Sequence, residues 1–482
     1  MKLLINAKIF PDNNPKSIII KNNIIKYIGD SRDINISTKS LDIIDCNNNS
    51  ILPGFIDSHL HLFESISNLD SIDLSEKSFT KLEDIKLFFK NFSDLESKKI
   101  LKFHGFEHRN INQKVNIEVF DNLNIKQPII IKHRTGHLIF TNKKTLTLLG
   151  FNKNEIQKYS HEYPINSKEI HKKISKLSCV DNFDQNIRLY NSKLLKYGYT
   201  TLVEAGALND VSKFKTIKKY INNKTIDQNI CYMPGAAEIK NFNEIKNNNN
   251  LYLGPTKFMI DEKNDINEYE NILKKYLKTF GNDAAFHAID SETIHKVLFN
   301  LYEKNKDIVK DRIIRIEHAT EFIPEYYKNY NQENLHLIFN PNFIYDHGDF
   351  YLNNQDYFNI ENIFNLYESN KYGFSYGIGT DSPFGNNNPF LLIYSALTRK
   401  TKTGNHLPGK GQINLKEIIK AFTINNAKSI KMDKKIGSIK KGKNADLIIL
   451  NTNLLNIKNY EELIKVKVIH TIINGKSKYK SH

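Results

Sequence analysis

The sequence predicts an α/β chain: a (β/α)8 TIM barrel in the middle, with one small β domain assembled from both ends. Three observations carry the prediction. Both ends consist of short alternating strand-like segments, and the middle alternates short apolar strands with longer amphipathic stretches. Several of the middle strands also end in a polar residue. Strands followed by helical stretches are the pattern of parallel βα units, and eight of them close most economically into a barrel.

Residues 1–52 contain Ser17-Ile18-Ile19-Ile20 and Ile24-Ile25-Lys26-Tyr27-Ile28, broken by Asn and Gly-Asp turns. They read as antiparallel strands and as the N-terminal part of the β domain. Residues 435–482 repeat the pattern in Ala445-Asp446-Leu447-Ile448-Ile449-Leu450 and Val466-Lys467-Val468-Ile469-His470-Thr471-Ile472-Ile473, followed by an Asn474-Gly475 turn. Residues 53–434 between them form the barrel. The run Ile51-Leu52-Pro53-Gly54-Phe55-Ile56-Asp57-Ser58-His59-Leu60-His61 supplies its first strand. The other seven are placed at 200–206, 227–234, 256–261, 283–289, 312–318, 336–342 and 374–381. About 140 residues separate the first two strands, far more than an ordinary connection. Residues 65–195 are therefore read as an inserted lid or substrate subdomain, with a helical stretch at 81–89 and a strand in Pro128-Ile129-Ile130-Ile131-Lys132-His133.

Lys+Arg 69 against Asp+Glu 53 leaves a net charge of +16. The lysines are scattered and form no basic block interleaved with aromatics, which argues against a nucleic-acid partner. No apolar run approaches the ~20 residues of a membrane helix, and the stretch Met1 to Lys8 is too short and interrupted for a signal peptide. Cys46, Cys179 and Cys231 are widely spaced and odd in number, so no disulfide framework is expected. The expectation is a cytoplasmic protein with a small-molecule partner, without nucleic acid or membrane; a homo-oligomer is left open.

Side chains alternate along a strand, so His59 and His61 share a face and Leu60 takes the other. Two neutral imidazoles at a strand end suit zinc and its neighbours. His287 ends Ala284-Ala285-Phe286-His287, and His318 ends Ile313-Ile314-Arg315-Ile316-Glu317-His318. Four histidines at equivalent positions of three strands point to metal, because a barrel's chemistry sits at the C-terminal strand ends. Asp381, in Gly377-Ile378-Gly379-Thr380-Asp381-Ser382-Pro383, ends the last strand. A carboxylate there can ligate metal and take a proton from water; it also suits a helix cap or an Asx turn. Lys257, in Pro255-Thr256-Lys257-Phe258-Met259-Ile260-Asp261, is a strand-end amine whose burial lowers its pKa. A neutral amine can take up carbon dioxide as a carbamate and bridge two metals, while a lysine on the rim would simply pair with a carboxylate. Glu204 and Asn340 complete the polar strand ends.

These motifs resemble the amidohydrolase superfamily, and more closely its YtcJ-like branch (amidohydrolase family 3), which includes N-substituted formamide deformylases. The resemblance runs through Leu52 to His61, Gly136-His137-Leu138-Ile139-Phe140-Thr141-Asn142, Phe286-His287-Ala288-Ile289-Asp290, Arg315-Ile316-Glu317-His318-Ala319 and Gly379-Thr380-Asp381-Ser382-Pro383. It continues in Ala396-Leu397-Thr398-Arg399, Ala421-Phe422-Thr423-Ile424-Asn425-Asn426-Ala427 and Gly437-Ser438-Ile439-Lys440-Lys441-Gly442-Lys443-Asn444-Ala445-Asp446-Leu447. It implies the barrel, a composite β-sandwich from both termini, and one or two divalent ions per chain, zinc being the first expectation. By resemblance His59, His61 and Asp381 hold one ion and His287 and His318 the other. Lys257 falls where binuclear members carry a carboxylated bridging lysine, and His137 falls at a substrate-side position.

The pocket walls depart from the family. Lys257 leads into Ile260-Asp261-Glu262-Lys263 where relatives read Asp-Gly and a glycine-rich loop. His287-Ala288-Ile289-Asp290-Ser291 lacks the usual glycine, and Gly105-Phe106-Glu107-His108 stands for a Gly-Trp-Asp-like motif. The expected activity is metal-dependent hydrolysis of a C–N bond in an amide, formamide or cyclic amide, with Asp381 and His137 catalytic. Two alternatives are a mononuclear deaminase of a heterocycle, to which His287 and Asp290 faintly correspond, and an inactive binding or scaffold relative.

Overall fold

The computed structural model describes residues 1–30, 41–77, 79–92, 99–123, 125–178, 182–245, 247, 248, 250–260, 270, 271, 283–330 and 333–481. Cys179 and the Asp261-Glu262-Lys263 stretch lie outside the described residues. The chain divides into two compact units, Met1–His61 with Asn191–His482, and Leu62–Tyr190.

The first unit opens with β1 (Lys2–Ile9), β2 (Pro15–Lys21), β3 (Ile24–Gly29), β4 (Asp42–Asp45), β5 (Ser50–Pro53) and β6 (Phe55–Leu60). The second holds β7 (Ile72–Asp73), β8 (Leu101–Phe106), β9 (Ile129–His133) and β10 (Ile139–Thr141). The first then resumes with β11 (Tyr199–Glu204), β12 (Asn229–Tyr232), β13 (Leu251–Leu253), β14 (Thr256–Met259), β15 (Ala284–Ala288), β16 (Ile314–His318), β17 (Leu335–Phe339) and β18 (Ser375–Ile378). It closes with β19 (Leu447–Leu450), β20 (Val468–Ile473) and β21 (Lys476–Lys480).

Strands from both ends join one eight-stranded sheet in the order β21-β20-β19-β5-β1-β2-β3, with β4 on β1. Leu4, Ile18, Ile25, Ile51, Leu447 and Ile472 fill its core. In the middle, each of the eight predicted strands has a counterpart; β13 is an additional three-residue strand that the sequence reading did not place. The middle strands form two parallel sheets, β13-β12-β11-β6 and β14-β15-β16-β17-β18. Strands β6, β11, β12, β16 and β17 are buried at every position, which is why they read as unbroken apolar runs.

The run expected as one opening strand is two. Ile51 and Leu52 pair antiparallel with β19, whereas Phe55 and Ile56 pair parallel with β11. Pro53 cannot donate to a ladder. Gly54 then packs so tightly that a Cβ there would meet the Thr200 side chain at 2.2 Å. Its N–H donates to the Asp446 carbonyl at 2.8 Å, so the hinge between the two sheets is held by the C-terminal segment.

The second unit is a small α/β body whose sheet runs β10-β9-β8-β7. The predicted helix at 81–89 is Leu82–Lys90. Its core is rich in phenylalanine: Phe103 meets Phe89 at 4.7 Å between ring centroids and Phe92 at 5.4 Å. Among the described residues no helix is long and apolar enough to cross a membrane. Phe103→Ala should remove about 3–5 kcal/mol from this unit, read as an earlier unfolding transition in calorimetry; an unchanged trace would show that the ring cluster does not hold the unit together.

Candidate metal centre

Four histidines from three strands lie ring against ring in the first unit. His59 ends β6 with His61 just beyond it, their centroids 5.3 Å apart. His318 lies 4.7 Å from His59, and His287 lies 4.6 Å from His318. The sequence placed each at a strand end, but strict alternation on β16 would turn His318 away from Glu317 and Arg315. The structure resolves this with a left-handed backbone at His318 (φ +72°) and Ala319 (φ +46°). Asp381 is also left-handed, at φ +53°. Such conformations are strained for residues with a Cβ and gather at functional sites.

Asp381 faces this row. Its Oδ1 is 3.0 Å from His61 Nε2 and 3.5 Å from His59 Nε2, and its Oδ2 is 4.0 Å from His318 Nδ1. Burial alone would raise its pKa, but His61, His318 and His59 hold it below the usual carboxylate range. Burial drives His59 down to about 3 and also lowers His318. Lys257 on β14 is 2% exposed, and burial brings it down to about 8. His59 Nε2 and Lys257 Nζ are buried without a hydrogen-bond partner. Buried polar groups are nearly always paired; a divalent ion would satisfy the His59 lone pair, and an anionic group would satisfy the Lys257 amine. Donor atoms of His59, His61 and Asp381 all lie within 4.8 Å of one another, a convergent set of the imidazole and carboxylate ligands that zinc takes. The residues fit the expected metal.

Several buried side chains hold this set in place. Glu317 Oε1 accepts from Arg315 Nε at 2.7 Å, and Oε2 shares a hydrogen bond with His59 Nδ1. Arg315 Nη2 donates to the Ser58 carbonyl at 2.7 Å. Burial would raise Glu317, but Arg315 and His59 keep it well below the ordinary range. Asn340 Oδ1 lies 2.8 Å from His318 Nδ1, and its Nδ2 donates to the Gly379 carbonyl at 2.8 Å. Asn426 Nδ2 donates to both Ile56 O and Ile378 O, joining β6 to β18. Asp57, lifted by burial to about 7, accepts from Thr380 N at 2.9 Å and from its hydroxyl at 2.6 Å. A Cβ on Gly379 would stand 2.5 Å from that of His59, so only glycine lets the two strands approach here.

Glu317, Asn426 and Thr380 were not singled out from sequence. A signal for Glu317 existed: Arg315 and Glu317 at i and i+2 of an otherwise apolar strand share one face, and opposite charges there mark an interior pair. Asn340 had been placed at a strand end without a role.

Three other groups fare differently. His137 is exposed in the second unit, where its carbonyl accepts from His171 Nε2 at 2.9 Å. Asp290 caps the helix Ser291–Phe299, taking Thr293 N and Thr293 Oγ1 at 2.7 Å each. Both of its oxygens are therefore engaged. Glu107, His108 and His133 also converge in the second unit. Glu107, however, accepts from Arg109 Nε at 2.9 Å and Nη2 at 2.6 Å, with Arg134 3.5 Å away. His133 Nδ1 accepts from Thr135 N, which puts the ring hydrogen on the Nε2 that faces Glu107. In that cluster Glu107 and His133 are engaged in an ion-paired network, while His108 Nδ1 is buried without a hydrogen-bond partner.

The amidohydrolase family model matches residues 42–166 and 259–479, and the chain belongs to that family. It is 19% identical to the N-substituted formamide deformylase of Arthrobacter pascens, over 96% of this chain and 95% of that protein. A metal-dependent hydrolase from Pyrococcus horikoshii shares its fold with a TM-score of 0.71 at 19% identity, over 95% of this chain and 98% of that one. An adenosine deaminase from Xanthomonas campestris, solved with bound zinc, is similar at a TM-score of 0.56 and 12% identity, over 99% of this chain and 93% of that one.

Thr380→Val should cost about 1–3 kcal/mol by leaving Asp57 without its hydroxyl donor, measured by denaturant unfolding. Thr380→Ser should recover most of the loss; equal stability of all three forms would show that the Asp57 contact does not anchor the segment bearing Asp381.

Proposed function

We propose that this member of the amidohydrolase family is a metal-dependent hydrolase that cleaves a C–N bond in an amide, formamide or cyclic amide. One observation carries the reading: four histidines at or near the ends of β6, β15 and β16 gather in a row that Asp381, just beyond β18, faces, and the buried Lys257 on β14 has no hydrogen-bond partner. In this reading His59, His61 and Asp381 would hold one ion and His287 and His318 a second, with Lys257, carboxylated on its neutral amine, supplying a further anionic ligand. When bound, a divalent ion such as zinc polarises a carbonyl and lowers the pKa of water from ~15.7 toward ~7.

The chain's own groups do the rest. Asp381 is held in its anionic form by the histidines around it, so its carboxylate accepts a proton and returns it to the leaving nitrogen. His137 is assigned, from the family resemblance, as a donor to the developing oxyanion. The same reading takes the two parallel sheets as arcs of one (β/α)8 barrel. Lys257 N donates to Pro234 O at one join, and Asp381 N donates to His59 O at the other, each at 2.8 Å. Asp290, the residue that favoured a deaminase, is occupied as a helix cap, so that residue lends the alternative no support. The altered residues around Lys257, His287 and Glu107 bear on the substrate rather than the reaction type.

Metal analysis of the purified chain should return one to two divalent ions. On a panel of amides, formamides and cyclic imides, Asp381→Asn should lower turnover about 10²–10⁴-fold, and His59→Ala should lose both metal and activity. A folded, metal-free His59→Ala chain that turns over the panel at the unsubstituted rate would overturn the reading.

A further inference from the structure

We propose that Glu317 and Asn340 are positioning residues that fix the tautomers of His59 and His318, so that each ring presents Nε2 to the metal centre. The inference rests on the metal-dependent reading above and adds to it a cause for the ring orientations.

A neutral imidazole carries one N–H and one lone pair. The nitrogen that can bind an ion is chosen by the partner of the other nitrogen. His59 Nδ1 faces Glu317 Oε2. Arg315 Nε donates to Glu317 Oε1 at 2.7 Å and Arg315 Nη2 to Oε2 at 3.1 Å, with both side chains 0% exposed. A carboxylate gripped this way is ionised and can only accept. The hydrogen therefore sits on His59 Nδ1, and the lone pair sits on Nε2, the buried atom that has no partner.

His318 reaches the same state through a neutral group. Asn340 Nδ2 donates to Gly379 O at 2.8 Å. Turning the amide over would set two oxygens against each other there, so Oδ1 is the atom that meets His318 Nδ1 at 2.8 Å. Being an acceptor only, it requires the hydrogen on Nδ1 and leaves the lone pair on Nε2. Two unlike side chains on neighbouring strands thus impose one tautomer on two histidines 4.7 Å apart.

The test is Zn²⁺ affinity of the full chain, measured by competition with a chromophoric chelator. Replacing the buried pair with apolar residues of similar size, Arg315→Met with Glu317→Met, is compatible with folding and removes the acceptor for His59. Arg315→Met with Glu317→Gln keeps an acceptor. The first double variant should bind Zn²⁺ on the order of 10- to 100-fold more weakly, and the second should return to within a few-fold of the parent. A purely structural role predicts the same loss in both. Asn340→Leu should weaken binding by a similar factor, and it carries the test alone if the double variants do not fold. A folded Met-Met variant, or in its absence a folded Asn340→Leu variant, that binds Zn²⁺ as the parent does overturns the inference. A parent chain that binds no Zn²⁺ overturns the metal-dependent reading itself.

Discussion

The ion pair between Arg315 and Glu317 is the constraint on which the centre depends. Both side chains are wholly removed from water, which costs several kcal/mol per charge before their attraction is counted. Apolar side chains of the same volume would stabilise the interior as well. What the pair adds is direction: the guanidinium reaches the Ser58 carbonyl and Ser429 Oγ, while the carboxylate reaches His59. One buried salt bridge thus ties β16 to β6 and to the short helix Asn426–Lys428, and the histidine-bearing end of β6 takes its orientation from that tie.

The centre is assembled against local preference. His318, Ala319 and Asp381 each occupy left-handed backbone, at a cost of order 1–3 kcal/mol per residue. Ala319 N–H donates to Ala288 O at 3.2 Å and Asp381 N–H to His59 O at 2.8 Å, Asn340 holds His318 and Thr380 holds Asp57, and these bonds offset part of that cost. The strain has a geometric result: the strand ends bend, so side chains that alternation would send to opposite faces come to one place.

Much of this was legible in the residues because burial leaves a pattern. Parallel strands covered on both faces read as apolar runs, and a histidine or aspartate interrupting their ends stands out. The antiparallel ends were legible from short apolar runs broken by Asn and Gly turns, although β2, β19 and β20 are buried along most of their length. The break at Pro53-Gly54 was visible as a kink but not as a change of sheet, because pairing partners some 400 residues away leave no local trace. Arg315 and Glu317 could be seen as charges in a buried strand, yet their link to His59 is a fact of packing. Asp290 shows the reverse error: three residues from a histidine, it resembled a catalytic acid, while its position before Ser291 suited a helix cap equally well.

The pairing of Thr380 with Asp57 spans 323 positions of the chain, and this separation has a consequence in time. A ribosome adding roughly 5–20 residues per second needs about 16–65 s to travel that far. Throughout the interval His59 and His61 exist without Asp381, and until the chain passes residues 317 and 340 they also lack Glu317 and Asn340. Asp381 therefore joins the histidines last, on the segment that follows β18, when every strand that carries the other members of the cluster has already been made.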